Sequence, residues 1–142
     1  MKKIVLLILV FSSFIYAELS RANGVVTDNV TKLEWQDDYS DNNSIIKSDT
    51  WENAIEYCES LTLNGNNWRL PNINELLSIV DYTTAGATTS FTFLNTNLDF
   101  YWSSTSYVND TSFAWYVNFS NTWTDNFIKA TNHAVRCVRT VQ

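Results

Sequence analysis

The chain has 142 residues, with 15 acidic against nine basic side chains and one histidine. That length sets an expectation of one domain, and an aromatic content of 15% with only three glycines and one proline marks a globular rather than a disordered chain. The acidic balance argues against nucleic acid as a partner, because it repels polyphosphate, and it disfavours anionic sugars unless the few basic residues cluster.

The N-terminus reads as a secretory leader. Lys2 and Lys3 form a basic start, and Ile4 to Tyr16 is an apolar run too short to favour a spanning helix. Cleavage is expected after Ala17, giving a signal peptide over 1–17 and a domain over 18–142, although Ile15 departs from the preferred small residue. An uncleaved anchor is the competing reading. No cysteine follows the apolar run, so a lipid anchor is not expected. Nine basic residues less the two leader lysines leave seven against 15 acids, a net charge of −8. The expected location is exported and bacterial: periplasm, cell surface or medium. Two cysteines, Cys58 and Cys137, in an exported chain imply one disulfide. It would close a loop of about 80 residues and contribute roughly 4.5 kcal/mol on the chain-entropy model. Two separate buried thiols are the alternative.

Arg21 to Asp37 carries the turn pair Asn23-Gly24, a strand-favouring Val25-Val26-Thr27, a second turn at Asp28-Asn29 and an alternating stretch from Lys32 to Gln36. It reads as a small hairpin with Leu33 and Trp35 pointing the same way. Asp37 to Asp49 reads as a polar, solvated loop. Its carboxylates do not follow calcium-loop spacing, since Tyr39 falls on a ligand position and no glycine follows. Trp51 to Leu61 predicts a helix capped by Asp49, with Glu52 completing a capping box and Trp51, Ala54, Ile55, Cys58 and Leu61 on the buried stripe. Asn64-Gly65 stops it.

The segment Trp68-Arg69-Leu70-Pro71 raises a choice between the edge of an active site and a structural corner. Asn72 is a good helix cap, Glu75 is placed to reach back to it, and Leu76, Leu77 and Val80 form the stripe of a second helix ending near Asp81. Pro71 forces Leu70 into extended geometry, so the corner reading is favoured. The five donors of Arg69 suit nearby carbonyls or a carboxylate. Thr83 to Asn97 reads as a long loop pinned by Phe91 and Phe93. The remainder is β-rich. Tyr101 to Ser106 is one strand. Phe113 to Ser120 alternates Phe113, Trp115, Val117 and Phe119 against a polar face of Ala114, Tyr116, Asn118 and Ser120. Trp123 to Ile128 returns the chain, and His133 to Val141 is a last strand with Val135, Cys137 and Arg139 on one side.

The fragments "NGVVTDNVTKLEWQD", "WENAIEYCESL", "WRLPNINEL", "YWSSTS", "FAWYVNF" and "VRCVR", in this order, resemble the Lcl C-terminal domain family from about Arg21 to Arg139. That family looks like a branch of the C-type-lectin-like superfamily, which includes the formylglycine-generating enzymes. The resemblance implies an α+β, C-type-lectin-like fold: two helices on small antiparallel sheets, with a disulfide between the first helix and the last strand, where Cys58 and Cys137 fall. It also implies scaffold roles for Trp51, Cys58, Trp68, Arg69, Leu70, Pro71, Glu75, Leu76, Trp102, Ser103, Ser104, Trp115, Arg136, Cys137 and Arg139. One member of the family is an adhesin whose terminal domain binds sulfated polysaccharides behind a collagen-like stalk. This chain has no Gly-X-Y tract and is acidic, so polyanion binding is not carried over.

Catalytic and metal chemistry find little support. The calcium-lectin tripeptides Glu-Pro-Asn, Gln-Pro-Asp and Trp-Asn-Asp are missing, and formylglycine-type chemistry needs reactive thiols. The lone His133, with no Gly-x-Ser-x-Gly elbow, gives neither a hydrolase triad nor a zinc site and reads as a polar residue near a strand start. No cofactor is expected. Trp35, Trp51, Trp68, Trp102 and Trp115 read as core. Tyr107, Asn109, Asp110, Tyr116, Asn121, Trp123, Asp125 and Phe127 combine aromatic faces with amides and carboxylates near loops, a composition suited to sugar rings and their hydroxyls. They are the candidate ligand site. The expected function is an exported, non-enzymatic recognition module for a glycan or protein ligand; the alternative is a structural or assembly subunit of an envelope complex.

Overall fold

A computed structural model describes residues 19–82 and 92–141. The expected leader, its cleavage point, Phe91 and most of the expected loop from Thr83 lie outside the described residues.

The first sheet begins as a meander of β1 (Leu19–Ala22), β2 (Val25–Asp28) and β3 (Leu33–Gln36), where the sequence suggested a single hairpin. Asn23 and Gly24 both take positive φ, 50° and 76°, the backbone that a two-residue hairpin turn demands. Glycine is required at position 24 on a second count: a Cβ there would lie 2.4 Å from Cβ of Asp38. The sheet is completed by β9 (Val138–Thr140), giving the order β1-β2-β3-β9. Arg69 bridges the free side of β9 through two backbone hydrogen bonds with Val138, each 2.9 Å.

The second sheet has the order β4-β8-β5-β6-β7, from β4 (Ser48–Asp49), β5 (Phe100–Ser106), β6 (Phe113–Asn118), β7 (Thr124–Ile128) and β8 (His133–Ala134). All pairs are antiparallel except β5 with β8. The last strand expected over His133 to Val141 is therefore broken. At Val135–Cys137 the chain leaves the second sheet and enters the first. The alternation of side chains survives the break: Ala134 and Val138 enter one core, Val135 and Cys137 the other.

Helices α1 (Trp51–Ser60) and α2 (Ile73–Ser78) pack with these two cores. One core joins Val26, Trp35, Leu76, Tyr101, Val117 and Phe119; the other joins Ala54, Cys58, Trp68, Trp102, Ala114 and Val135. Tyr101 and Trp102 are consecutive on β5, so their side chains enter opposite faces of the five-stranded sheet. Both faces are thus covered in part, and the reading of a polar face on β6 is corrected: Ala114 and Asn118 are buried and Tyr116 is half-buried.

The cap of α2 is as the sequence indicates. Asn72 Oδ1 accepts from the Glu75 amide at 2.9 Å, and Glu75 Oε2 accepts from the Asn72 amide at 2.9 Å. The helix stops at Ser78 rather than near Asp81. The cap expected for α1 is different. Thr50 holds the cap position with no side-chain bond, because Asp49 is drawn into β4 opposite His133 and its carboxylate accepts from the Thr50 amide and the Asn53 side chain. The Cys58–Cys137 bridge is formed, with 5.4 Å between Cα atoms and a sequence separation of 79. Among the described residues the architecture is an α+β fold with two α-helices, one antiparallel and one mixed sheet, and one long-range disulfide.

The loop after β3 is not simply solvated. Asp37 and Tyr39 are buried, at 0% and 2% exposure. The Asp37 carboxylate accepts from Arg21 Nε at 2.5 Å and from the amides of Leu94 and Asn95 at 3.0 Å, and it lies 3.9 Å from the buried Arg136 guanidinium. Arg136 also donates to the Asn95 carbonyl and lies over the ring of Phe93 at 4.2 Å. A buried carboxylate is tolerated because every side of it meets a donor or a cation.

A candidate recognition surface on the second sheet

The site grows from strand register. In β6 and β7, Tyr116 lies opposite Asp125 and Ala114 opposite Phe127; in β5, Trp102 lies opposite Tyr116 and Phe100 opposite Asn118. Side chains of directly paired residues share a face, so Phe100, Trp102, Tyr116, Asp125 and Phe127 lie together. Helix α1 covers Trp102 and Ala114 but leaves Phe100 36% and Phe127 45% exposed.

His133 lies among these rings. Its ring centroid is 4.4 Å from Trp102, 5.4 Å from Phe100, 5.5 Å from Tyr116 and 5.6 Å from Phe127. The residue is 8% exposed, and its buried Nε2 has no hydrogen-bond partner among the described residues. Burial holds its pKa below the usual histidine value, against an opposing pull from Asp99. The imidazole is consequently neutral at pH 7. Tyr116 is pushed upward, first by burial and then by the Asp125 carboxylate beside it.

The eight residues nominated from sequence divide into separate groups. Tyr116 and Phe127 are brought together around His133, with Asp125 opposite Tyr116 on the neighbouring strand. Trp123 is 74% exposed next to β7; its carbonyl accepts from the Asn118 amide at 2.7 Å, and its amide donates to Asn121 Oδ1 at 3.1 Å. Tyr107, Asn109 and Asp110 sit at the other end of β6. The Asn109 side chain donates to Tyr107 Oη at 2.9 Å, Asp110 Oδ1 accepts from Ser112, and the Tyr107 ring meets Trp115 edge-on at 5.8 Å. β6 spans six residues, roughly 17 Å between its terminal Cα atoms, so the turn at Tyr107 and the Trp123 corner are not one pocket. Two members of the surface, Phe100 and His133, escaped the sequence reading. Their proximity comes from the β5–β8 parallel pairing, which no local pattern announces.

Trp35, Trp68 and Trp102 are buried, at 0%, 2% and 0% exposure, while Trp51 and Trp115 are half-buried. Trp51 Nε1 donates to the Ser103 carbonyl at 2.8 Å, and Lys129 Nζ lies 3.7 Å from the Trp51 ring centroid. Arg69 forms a two-pronged pair with Glu75 at the proline corner.

A sequence profile of the Lcl C-terminal domain family matches residues 24–139. The chain belongs to the Lcl C-terminal domain family. No curated protein matches it. The family match covers every strand from β2 to β9, with residues 138–139 of β9 included, and both half-cystines of this Lcl C-terminal domain. Membership is consistent with a non-enzymatic module. Both sulfurs are held in the bridge, so no thiol is free for thiol-dependent chemistry. Among the described residues, no group of three or more His, Cys, Asp or Glu side chains could hold a metal ion, and no helix is long and apolar enough to cross a membrane.

Proposed function

We propose that this Lcl C-terminal domain is an exported, non-enzymatic recognition module of C-type-lectin-like architecture, acting at the envelope, on the cell surface or in the medium. Its ligand, a glycan or a protein, is taken on the face formed by Phe100, Tyr116 and Phe127 with Trp123 at its border. The observation that supports this reading is the group of part-exposed rings on one sheet face, where large apolar side chains are costly to leave in water. Exposed aromatic faces stack on sugar rings or anchor a protein partner. A glycan array and a partner pull-down with the wild-type chain, Trp123→Ala and Phe127→Ala test it. A signal lost in the variants is expected; silence of the wild type in both screens would remove the proposal.

One observation favours a second reading, a structural or assembly subunit. Among the described residues β7 pairs only with β6, and it carries the exposed Phe127 and Ile128, so its outer edge offers backbone groups to another chain. Light scattering separates the two readings: a strict monomer at high concentration removes the assembly role.

A further inference from the structure

We propose that the aromatic face selects a cationic glycan, one whose amino sugars carry free ammonium groups rather than acylated nitrogens. The inference rests on the recognition role proposed above and names its ligand class. Its first support is shape. Phe100 and Tyr116 pack edge to face, with centroids 4.9 Å apart and planes at 78°, so the gap between them is closed. The rings form a floor rather than a socket around one small group. An open aromatic floor suits the flat C–H face of a pyranose ring.

The second support is charge. Asp125 lies directly across the strand pair from Tyr116, and the Asp99 carboxylate is near enough to act on His133 beneath the rings; both are exposed. Asp125 Oδ1 accepts from the Asn126 amide at 2.8 Å, and Asp99 Oδ1 accepts from the Phe100 amide at 2.7 Å. The second oxygen of each carboxylate has no partner among the described residues. The lysines on adjoining segments are already engaged: Lys47 with Asp49 at 2.9 Å, and Lys129 with the Trp51 ring and Ser106 Oγ. His133, beneath the rings, is uncharged near neutrality and places no positive charge under the floor. Ring faces carry a negative quadrupole, so rings and carboxylates attract the same sign of ligand. The net charge of −8 outside the leader adds a long-range field of that sign.

Calorimetric titration of the disulfide-bonded protein with a glucosamine hexasaccharide, the same oligomer fully N-acetylated, and a lysine hexapeptide tests the inference. Binding of the free-amine oligomer alone is expected, and it should weaken as salt is raised. Asp125→Asn should lower that affinity by about two- to fivefold with unchanged thermal melting, because its side chain is exposed, and Phe127→Ala by about five- to tenfold with the fold retained, because the ring is only partly buried. Equal affinity for the two oligomers overturns the charge selection while leaving the recognition surface intact. Binding of the peptide alone overturns the glycan assignment. Failure of all three probes alongside a Phe127-dependent signal on the neutral glycan array also overturns it. Failure of every glycan and partner screen removes the underlying recognition role instead.

Discussion

Arg69 and Glu75 face each other across the proline corner in a paired contact, Nη1 to Oε2 at 2.7 Å and Nη2 to Oε1 at 2.6 Å. The same carboxylate accepts the Asn72 amide, so one side chain closes the helix cap and ties the helix to the segment that bridges β9. Partial burial pushes the Glu75 pKa up, but the Arg69 guanidinium and the Asn72 amide outweigh it and the net displacement is downward. A carboxylate displaced downward contributes stability above its unfolded pKa, and that contribution is lost as pH falls through the folded value. Glu75→Ala should lower stability by about 1 to 2 kcal/mol at neutral pH. Glu75→Gln, which can still complete the cap, should lose less and flatten the acid limb of the stability profile. Urea melts across the acid range measure both effects.

Asp37→Asn should be far more damaging. It removes the charge facing buried Arg136, leaving a cation with 0% exposure and no other ion-pair partner among the described residues. Breaking a buried pair on one side costs about 3 to 5 kcal/mol. Chemical denaturation gives the number; a loss below 1 kcal/mol would show that the guanidinium is held mainly by its ring and carbonyl contacts.

Tryptophans 102 and 123 should separate cleanly. Trp102 is fully buried and donates to the Asp49 carbonyl at 3.1 Å, whereas Trp123 is 74% exposed. Trp102→Ala should cost about 3 to 5 kcal/mol and Trp123→Ala no more than about 0.5 kcal/mol. Thermal melts of the two variants decide this.

His133 is the single histidine, so its titration can be followed by NMR without assignment ambiguity. Burial depresses its folded pKa, so the unfolded chain binds the proton more readily. Stability should be fully retained above the unfolded value near 6.5 and decline as pH falls through the folded value. A midpoint above 6.5 would mean that Asp99 dominates over burial.

Opening the Cys58–Cys137 bridge should cost about 2 to 5 kcal/mol, in keeping with its separation of 79 residues. Melting with and without reductant tests the size. Thiol titration of the unreduced, denatured protein should find no free sulfur.

What the sequence disclosed was local. The Asn72–Glu75 cap, the Asn23-Gly24 turn and the helical phase of Cys58 each depend on residues within a turn or two, and each is present. The failures are of longer range. Asp37 looked solvated because its partners, Arg21, Leu94, Asn95 and Arg136, are scattered along the chain. The α1 cap was misread because Asp49 answers to its strand partner His133 rather than to the helix it precedes. The β6 alternation was read correctly as a pattern, but no pattern reveals that α1 covers the second face. Of the candidate surface, Tyr116, Asp125, Trp123 and Phe127 were visible as aromatic and polar neighbours, while Phe100 and His133 needed the β5–β8 pairing.

The switch of sheets at Val135–Cys137 has a consequence for biosynthesis. Residues 133–140 supply a strand to each sheet, the buried Arg136 and one half of the bridge, so neither core can close before this stretch has left the ribosome. Up to that point the nascent polypeptide has only fragments to assemble. Such a delay leaves both halves of the molecule open until this one stretch is available, and then lets them lock in one step.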